Sequence, residues 1–389
     1  MTRPKITVWR VIFVLLALAG LYSTYLRVMY GLGGSTNLSD KFPWGIWIGF
    51  DILCGVGLAA GGFTLVAVVH IFNIEKYHPI LRPSILTAFL GYVLVVFALL
   101  FDLGRPDRLW HPLVMWNPHS VMFEVAWCVT LYTTVLALEF VPVVLEKFEL
   151  RQSLKVVRAI SVPLMIAGVI LSTLHQSSLG TLYLIVPHKL YGLWYTPLLP
   201  VLFYISAIGA GLAMTIFESW HSSKAFGRQL ETPLLASMAR VLAVVLSVYL
   251  TIRYLDLSKR GALGLVTINR TETWLFGLEI LLMAAAMVLL YQRRVRRSPA
   301  ALYWCAVLYL FGFITNRLNV AVTGMESASG THYIPKWTEM AVTLSIIALG
   351  FAIFRVVAHY FPVFDAHEEE AAAPVEAARP REYVGVIKR

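Results

Sequence analysis

Ten apolar runs, each long enough to cross the hydrocarbon core as a helix, leave this chain little choice of fold. They lie at roughly 9–29, 46–73, 84–103, 120–144, 157–177, 195–219, 234–255, 273–291, 300–322 and 339–360, and a spanning helix needs about 20 mostly apolar residues. Only 14% of the 389 residues are charged and 58% are hydrophobic. A soluble domain carries about 25% charged residues, so lipid rather than water must cover most of the surface. The expected fold is an all-α polytopic membrane protein: a transmembrane domain over 1–362 and an Ala-, Glu- and Pro-rich flexible tail over 363–389.

The net charge of +10 points to orientation, not to nucleic acid. Lys and Arg gather in alternate short loops: Arg3 and Lys5, Lys76 and Arg82, Lys147, Arg151 and Lys155, Lys224 and Arg228, and the run Arg293, Arg294, Arg296 and Arg297. That side is expected to be cytoplasmic, with both termini on it, in a bacterial inner membrane. The opposite loops are longer and rich in Trp, Pro and His, at 40–45, 105–119 and 183–200, which suits docking of a partner. The basic N-terminus and the apolar run after it resemble a signal peptide, but the run continues to about Met29, long enough for an uncleaved first helix. Cys54, Cys128 and Cys305 all lie within apolar segments, and no CxxC is present. Neither a disulfide framework nor a cysteine-bound cluster in this chain is supported.

A weak internal repeat runs through the helices. Asp102 and Asp256 close helices three and seven at an offset of 154 residues, Gly55-Val56-Gly57-Leu58-Ala59 and Gly209-Ala210-Gly211-Leu212-Ala213 share that offset, and Glu124 and Glu279 lie 155 apart. Four helices per repeat keep both copies the same way up. The expected plan is a first helix (9–29), a four-helix bundle (46–177), a second (195–322) and a last helix (339–360). Gly55, Gly57, Gly61 and Gly62 lie mid-helix without a following Lys-Ser or Lys-Thr, so they read as close-packing residues and not as a nucleotide loop.

Ionisable residues inside hydrocarbon cost at least about 2.5–3.5 kcal/mol each on insertion scales. Asp51, Glu124, Glu139, His175, Glu218, Glu279 and Arg317 are such residues, with His70, Asp102, Arg253 and Asp256 at helix ends. Asp51, Glu124, His175 and Gln176 all fall in the non-cytoplasmic half, with Trp44 and Trp47 ahead of Asp51 and with Trp116 and His119 ahead of Glu124. Such a set can bind a polar head and move protons, and a quinone fits: its carbonyls accept hydrogen bonds and its ring stacks on aromatics. The bland alternative is a structural network in which Asp51 or Glu124 pairs with Arg105 or Arg108. Glu139 is 15 residues from Glu124, about 22 Å along a helix, and with Tyr92 and Tyr132 between them the two could mark a proton route. Arg253, Asp256 and Arg317 read better as ion pairs that orient helices. A b haem needs histidines facing each other across a bundle; His70 and His175 sit at opposite ends of their helices, so no haem is expected. A secondary transporter and a purely structural anchor are the rival classes.

The block Phe42-Pro43-Trp44-Gly45-Ile46-Trp47-Ile48-Gly49-Phe50-Asp51, with Ser120-Val121-Met122-Phe123-Glu124, Ala137-Leu138-Glu139-Phe140 and Thr173-Leu174-His175-Gln176-Ser177-Ser178-Leu179-Gly180, resembles the NrfD/PsrC family of integral membrane subunits. The likeness covers about residues 9–360 and is greatest to the HybB-type subunits of periplasm-facing nickel–iron uptake hydrogenases. The resemblance implies an exchangeable quinone (menaquinone or ubiquinone), no haem, and iron–sulfur clusters only in partners: a periplasmic ferredoxin-like iron–sulfur subunit and, through it, the hydrogenase small and large subunits. It also implies proton-transfer roles for Asp51, Glu124, Glu139 and His175, and quinone contacts for Trp44, Trp47, Asp51, Trp116, His119, His175 and Gln176. Tyr92, Asp102 and Arg105 would support them. Related members serve polysulfide, tetrathionate, nitrite and multihaem-cytochrome systems.

Overall fold

The structure, a computed structural model, describes residues 8–364 apart from 68, 70–73 and 186–188. The expected tail from 365 onward, His70 and the end of the second apolar run lie outside the described residues. Ten helices are long and apolar enough to span a membrane: α1 (Val8–Ser35), α2 (Trp47–Val66), α3 (Leu81–Asp102), α4 (Val121–Lys147), α5 (Ser161–Leu182), α6 (Leu199–Phe226), α7 (Thr232–Lys259), α8 (Thr271–Tyr291), α9 (Pro299–Ser329) and α10 (Trp337–Tyr360). Among the described residues there is no strand, only an isolated bridge between Ser39 and Phe42. The chain is an integral multi-pass membrane protein.

Helix ends fall where local chemistry dictates. Pro299 opens α9 behind Ser298, whose hydroxyl accepts the Ala301 N–H. Gly227, at φ 67°, closes α6. Before α10, the Glu339 carboxylate accepts the backbone N–H of Lys336 at 2.7 Å and that of Asn37 at 3.1 Å. The Tyr333 hydroxyl donates to Glu339 at 2.6 Å and accepts the Ile46 N–H at 3.0 Å. One buried carboxylate thus ties the loops before α2 and α10 together. Burial first, and then this hydrogen bond, push the Tyr333 phenol well above its ordinary range.

Helices α2, α3, α4 and α5 pack in a ring, as do α6, α7, α8 and α9; α1 lies against α10, and α10 against α3. The rings meet where α2 crosses α6. The α-helix of α2 tightens to a turn at Ala59 and Ala60, and the backbone of α6 passes directly over it. A Cβ on Gly211 would lie 2.7 Å from the carbonyl carbon of Ala60 and from the amide nitrogen of Gly61. Only glycine permits that approach.

The ends of the helices define two sides. The basic side carries residues 74–80, 148–160, 227–231 and 292–298; the loop side carries 36–46, 103–120, 189–198, 260–270 and 330–336. The loop at 189–198 turns inward: Leu190, Leu193, Trp194 and Thr196 are buried, capping the second ring.

Candidate functional site

Two polar regions lie on different faces of α2. The first is a file along the inside of α3, α4 and α5. Near the loop side Glu124 of α4, exposed at the rim, accepts a 2.5 Å hydrogen bond from Ser178 of α5. One turn further in, His175 is fully buried and neither ring nitrogen has a hydrogen-bond partner. Its ring lies 5.7 Å from that of Tyr92, which sits edge-on to Tyr132 at 4.7 Å. The hydroxyls of Tyr92, Tyr132 and Ser172 are likewise buried without partners. The file ends at Glu139, toward the basic side. Its carboxylate lies 3.3 Å, and the Tyr132 ring 3.9 Å, from the position a Cβ would take on Gly168 of α5. Buried polar atoms left in this state are completed by water or a ligand. Hydroxyl and imidazole groups strung between two carboxylates are the parts from which a proton relay is made.

Helical geometry explains why α5 serves this file. Ser172, His175 and Ser178 recur every three residues and so share a face. That spacing is the sequence signal that places Ser172 and Ser178 in the file with His175. Gln176, on the neighbouring face, donates to the carbonyl of Val56 in α2 at 3.1 Å and so holds α5 against α2.

The second region surrounds Asp51. This carboxylate is buried, and Thr343 of α10 donates to it at 2.8 Å. It lines one end of a chamber of about 590 Å³ bounded by α2, α3, α6, α9 and α10. The walls are apolar for most of their length; Glu218, His221, Ser222 and Arg355 line the other end, toward the basic side. Ser222 donates to Glu218 at 3.1 Å. Asp51 therefore faces α10 and not the Glu124–His175 file.

The remaining sequence-derived candidates scatter around these two regions. Trp47 is buried, donates to the Glu339 carbonyl at 3.2 Å and packs on Phe101. Trp44 meets Tyr183 edge-on at 5.7 Å. Asp102 ends α3 beside Arg27 of α1, whose guanidinium donates to the carbonyls of Phe101 and Leu103 at 2.7 Å. Trp116 is exposed at the rim, its ring tilted against those of Phe123 and Trp127, and His119 is exposed nearby in sequence. Arg105 is also exposed. It grips Asp107 at 2.9 and 3.0 Å, and its hydrogen bond holds the Asp107 carboxyl below the usual carboxylate range. The alternative pairing of Asp51 or Glu124 with Arg105 or Arg108 is not formed.

The repeat-related carboxylates of the second ring are each held by several donors, while Arg253 Nε and Nη1 and Arg317 Nε are buried without partners. Glu279 accepts from Trp194 at 3.0 Å, Asn316 at 2.8 Å and Asn319 at 3.0 Å. Asp256 accepts from Thr196 at 2.7 Å and from Arg260 at 2.7 and 2.9 Å. Arg253 donates to the Leu193 carbonyl at 2.8 Å. Arg317 donates to Asn316, Ser206 and the Phe203 carbonyl, and lies 3.6 Å from the centre of the Phe203 ring.

This architecture has known counterparts. The family model described as "Polysulphide reductase, NrfD" matches residues 34–327. The chain belongs to the NrfD family. It is 39% identical over 361 residues to a protein of Nitratidesulfovibrio vulgaris, covering 90% of this chain and 92% of the relative. It is 31% identical over 344 residues to the probable Ni/Fe-hydrogenase 2 b-type cytochrome subunit of Escherichia coli, covering 87% of each. It is 30% identical over 384 residues to the menaquinone reductase integral membrane subunit of N. vulgaris, covering 90% of each. The b-type name raises the question of haem. Among the described residues of this NrfD-family chain, His175 is the one buried histidine, and no group of three or more His, Cys, Asp or Glu could hold a metal ion. The described residues therefore supply no pair of buried histidines that could hold a haem between them.

Proposed function

We propose that this NrfD-family chain is the quinone-reactive membrane subunit of a respiratory nickel–iron hydrogenase complex in a bacterial inner membrane, with both termini cytoplasmic. This reading rests on one observation above the others: the file from Glu124 at the rim through Ser178, His175, Tyr92 and Tyr132 to Glu139, whose interior members His175, Tyr92 and Tyr132 are buried with polar atoms that have no protein partner. The names of the E. coli and N. vulgaris relatives, a hydrogenase subunit and a menaquinone reductase subunit, favour the same chemistry.

Hydrogen oxidised on the partner subunits yields two electrons and two protons outside the membrane. The electrons pass through a periplasmic ferredoxin-like iron–sulfur subunit seated on the loop side. A quinone (menaquinone or ubiquinone) in this chain takes up two electrons and two protons and leaves as quinol. Glu139 receives protons from the basic side, Tyr132, Tyr92 and His175 hand them on, and Glu124 and Asp51 serve the loop-side half. Protons drawn from the basic side make turnover electrogenic. The chain carries no haem and no cluster of its own in this reading. A donor of another kind, such as a multihaem cytochrome or a polysulfide or tetrathionate enzyme, would use the same file.

The test is Glu124→Gln. Quinone-linked hydrogen oxidation in membranes holding the complex should fall about a hundredfold or more, while reduction of an artificial dye by the hydrogenase persists. Equal loss of both activities would make Glu124 an assembly residue. The absence of a b-type absorption band from the purified subunit checks the haem statement.

A further inference from the structure

Helix α10 is packed on one flank only. It lies against α1, α3 and the start of α2, and toward α6 and α9 it faces the chamber of about 590 Å³. Phe311 of α9 and Phe351 of α10 line that chamber and are 59% and 56% exposed, so it opens to the lipid-facing surface between those helices. Its walls are apolar along their length and polar at the basic end, where His221, Ser222 and Arg355 line it. Arg355 is exposed and makes no ion pair or hydrogen bond with a described residue. Lys224 follows His221 by three residues, so the two share a face of α6, and its ammonium lies 4.2 Å from the centre of the Trp220 ring. Trp220 stacks in turn on Tyr303 of α9, and Trp304 beside it is 65% exposed. Aromatic rings and cations gathered in this way mark the headgroup level of a bilayer. Glu218, the acid at this end, is buried and accepts from Ser222 at 3.1 Å, so the charge this end exposes is positive.

We infer that this chamber holds one acyl chain of an anionic phospholipid from the basic-side leaflet, with its phosphate at Arg355, Lys224 and His221 and its second chain outside, in the opening between α9 and α10. Walls this apolar do not hold water; they take a chain of carbon. Basic pockets between membrane helices bind lipid phosphates, and the long Arg355 and Lys224 side chains reach up to such a group from the apolar wall. The length fits as well. From Arg355 to Thr343, which holds Asp51, is 12 residues of α10, or ~18 Å. The hydrocarbon core is about 30 Å thick, so the chains of one leaflet reach ~15 Å. A chain anchored at Arg355 therefore ends short of Asp51, and no methyl group is pressed against that carboxylate. An uncharged isoprenoid tail would fill the same walls and leave the guanidinium without a counter-charge. The lipid supplies the packing that α10 lacks toward α6 and α9, and so joins the α1–α10 pair to the second ring.

The experiment uses the whole complex purified in detergent, on its monodisperse fraction. Phospholipid that survives exhaustive washing is extracted and identified by mass spectrometry, and the melting temperature is followed as phosphatidylglycerol, phosphatidylcholine or inorganic phosphate is added back. The wild type should retain an anionic phospholipid. It should be stabilised by phosphatidylglycerol, less by phosphatidylcholine and not by phosphate. Arg355→Gln combined with Lys224→Gln should weaken the apparent affinity for phosphatidylglycerol about tenfold. Ile347→Trp, which fills the chamber and spares the cationic end, should lose the retained lipid. Arg293→Gln combined with Arg294→Gln removes the same charge from the same side, away from the chamber, and should change neither readout. Equal retention in all four proteins, stabilisation by phosphatidylcholine or phosphate as large as that by phosphatidylglycerol, or a quinone and no phospholipid extracted from the wild type overturns the assignment.

Discussion

In α8, Glu279 is fully buried and accepts three hydrogen bonds; 155 residues earlier, Glu124 on α4 is exposed at the rim and holds a single serine hydroxyl. Asp256 is clamped by Thr196 and Arg260, whereas no protein donor reaches one carboxylate oxygen of Asp102. Matching positions in two similar rings thus have opposite hydrogen-bonding surroundings. The second ring holds its two carboxylates with Trp194, Thr196, Arg260 and two asparagines, and leaves its orphaned atoms on the guanidinium groups of Arg253 and Arg317. The first leaves its orphaned atoms on buried hydroxyls and an imidazole, which stay open to exchange partners. Satisfied networks fix structure; unsatisfied ones remain able to bind and release protons.

That contrast can be broken by substitution. The largest effect should come from Glu279→Ala, which strands the donors of Trp194, Asn316 and Asn319. A loss of about 3–5 kcal/mol is expected, seen as a collapse of the folded yield in detergent. Glu139→Gln should leave the melting temperature nearly unchanged and lower quinone-linked turnover at least tenfold. Reconstituted vesicles would show it, with the membrane potential generated per turnover falling as well. Tyr132→Phe sharpens the comparison through its sign. Removing a partnerless hydroxyl should alter stability by no more than about 1 kcal/mol, in either direction, yet slow turnover severalfold; a large destabilisation would show that the first ring is as tightly bonded as the second. Least of all should come from Arg105→Ala, an exposed ion pair whose loss should shift the melting temperature by less than the scatter between preparations.

The helices were legible because hydrocarbon demands long apolar runs, and the ends differ from expectation by only a few residues. Helix α9 runs past its expected end at 322 to Ser329 because a wide turn over Asn319–Thr323 lets it continue. The acids and His175 were legible for the converse reason, since charge in an apolar run is costly. Their partners were not. Asp51 meets Thr343 across 292 residues, and nothing local distinguishes that contact from one with Glu124 or His175, with which the sequence groups it. The loop around Trp194 reads as a docking surface from its Trp, Tyr and Pro content, yet its aromatic ring serves Glu279. Nothing in the sequence singles out Glu339, on which Tyr333 and the backbone of Asn37 converge.

Secondary transporters also show paired repeats and interrupted helices, and α2 is interrupted at mid-height. There, however, the main chain of α6 lies in direct contact with the interruption, glycine against alanine, with no side chain between. That bare contact fixes how closely the two rings approach at this level of the membrane. A side chain larger than glycine at position 211 would push the two rings apart there, so the spacing of two whole bundles hangs on one absent methyl group.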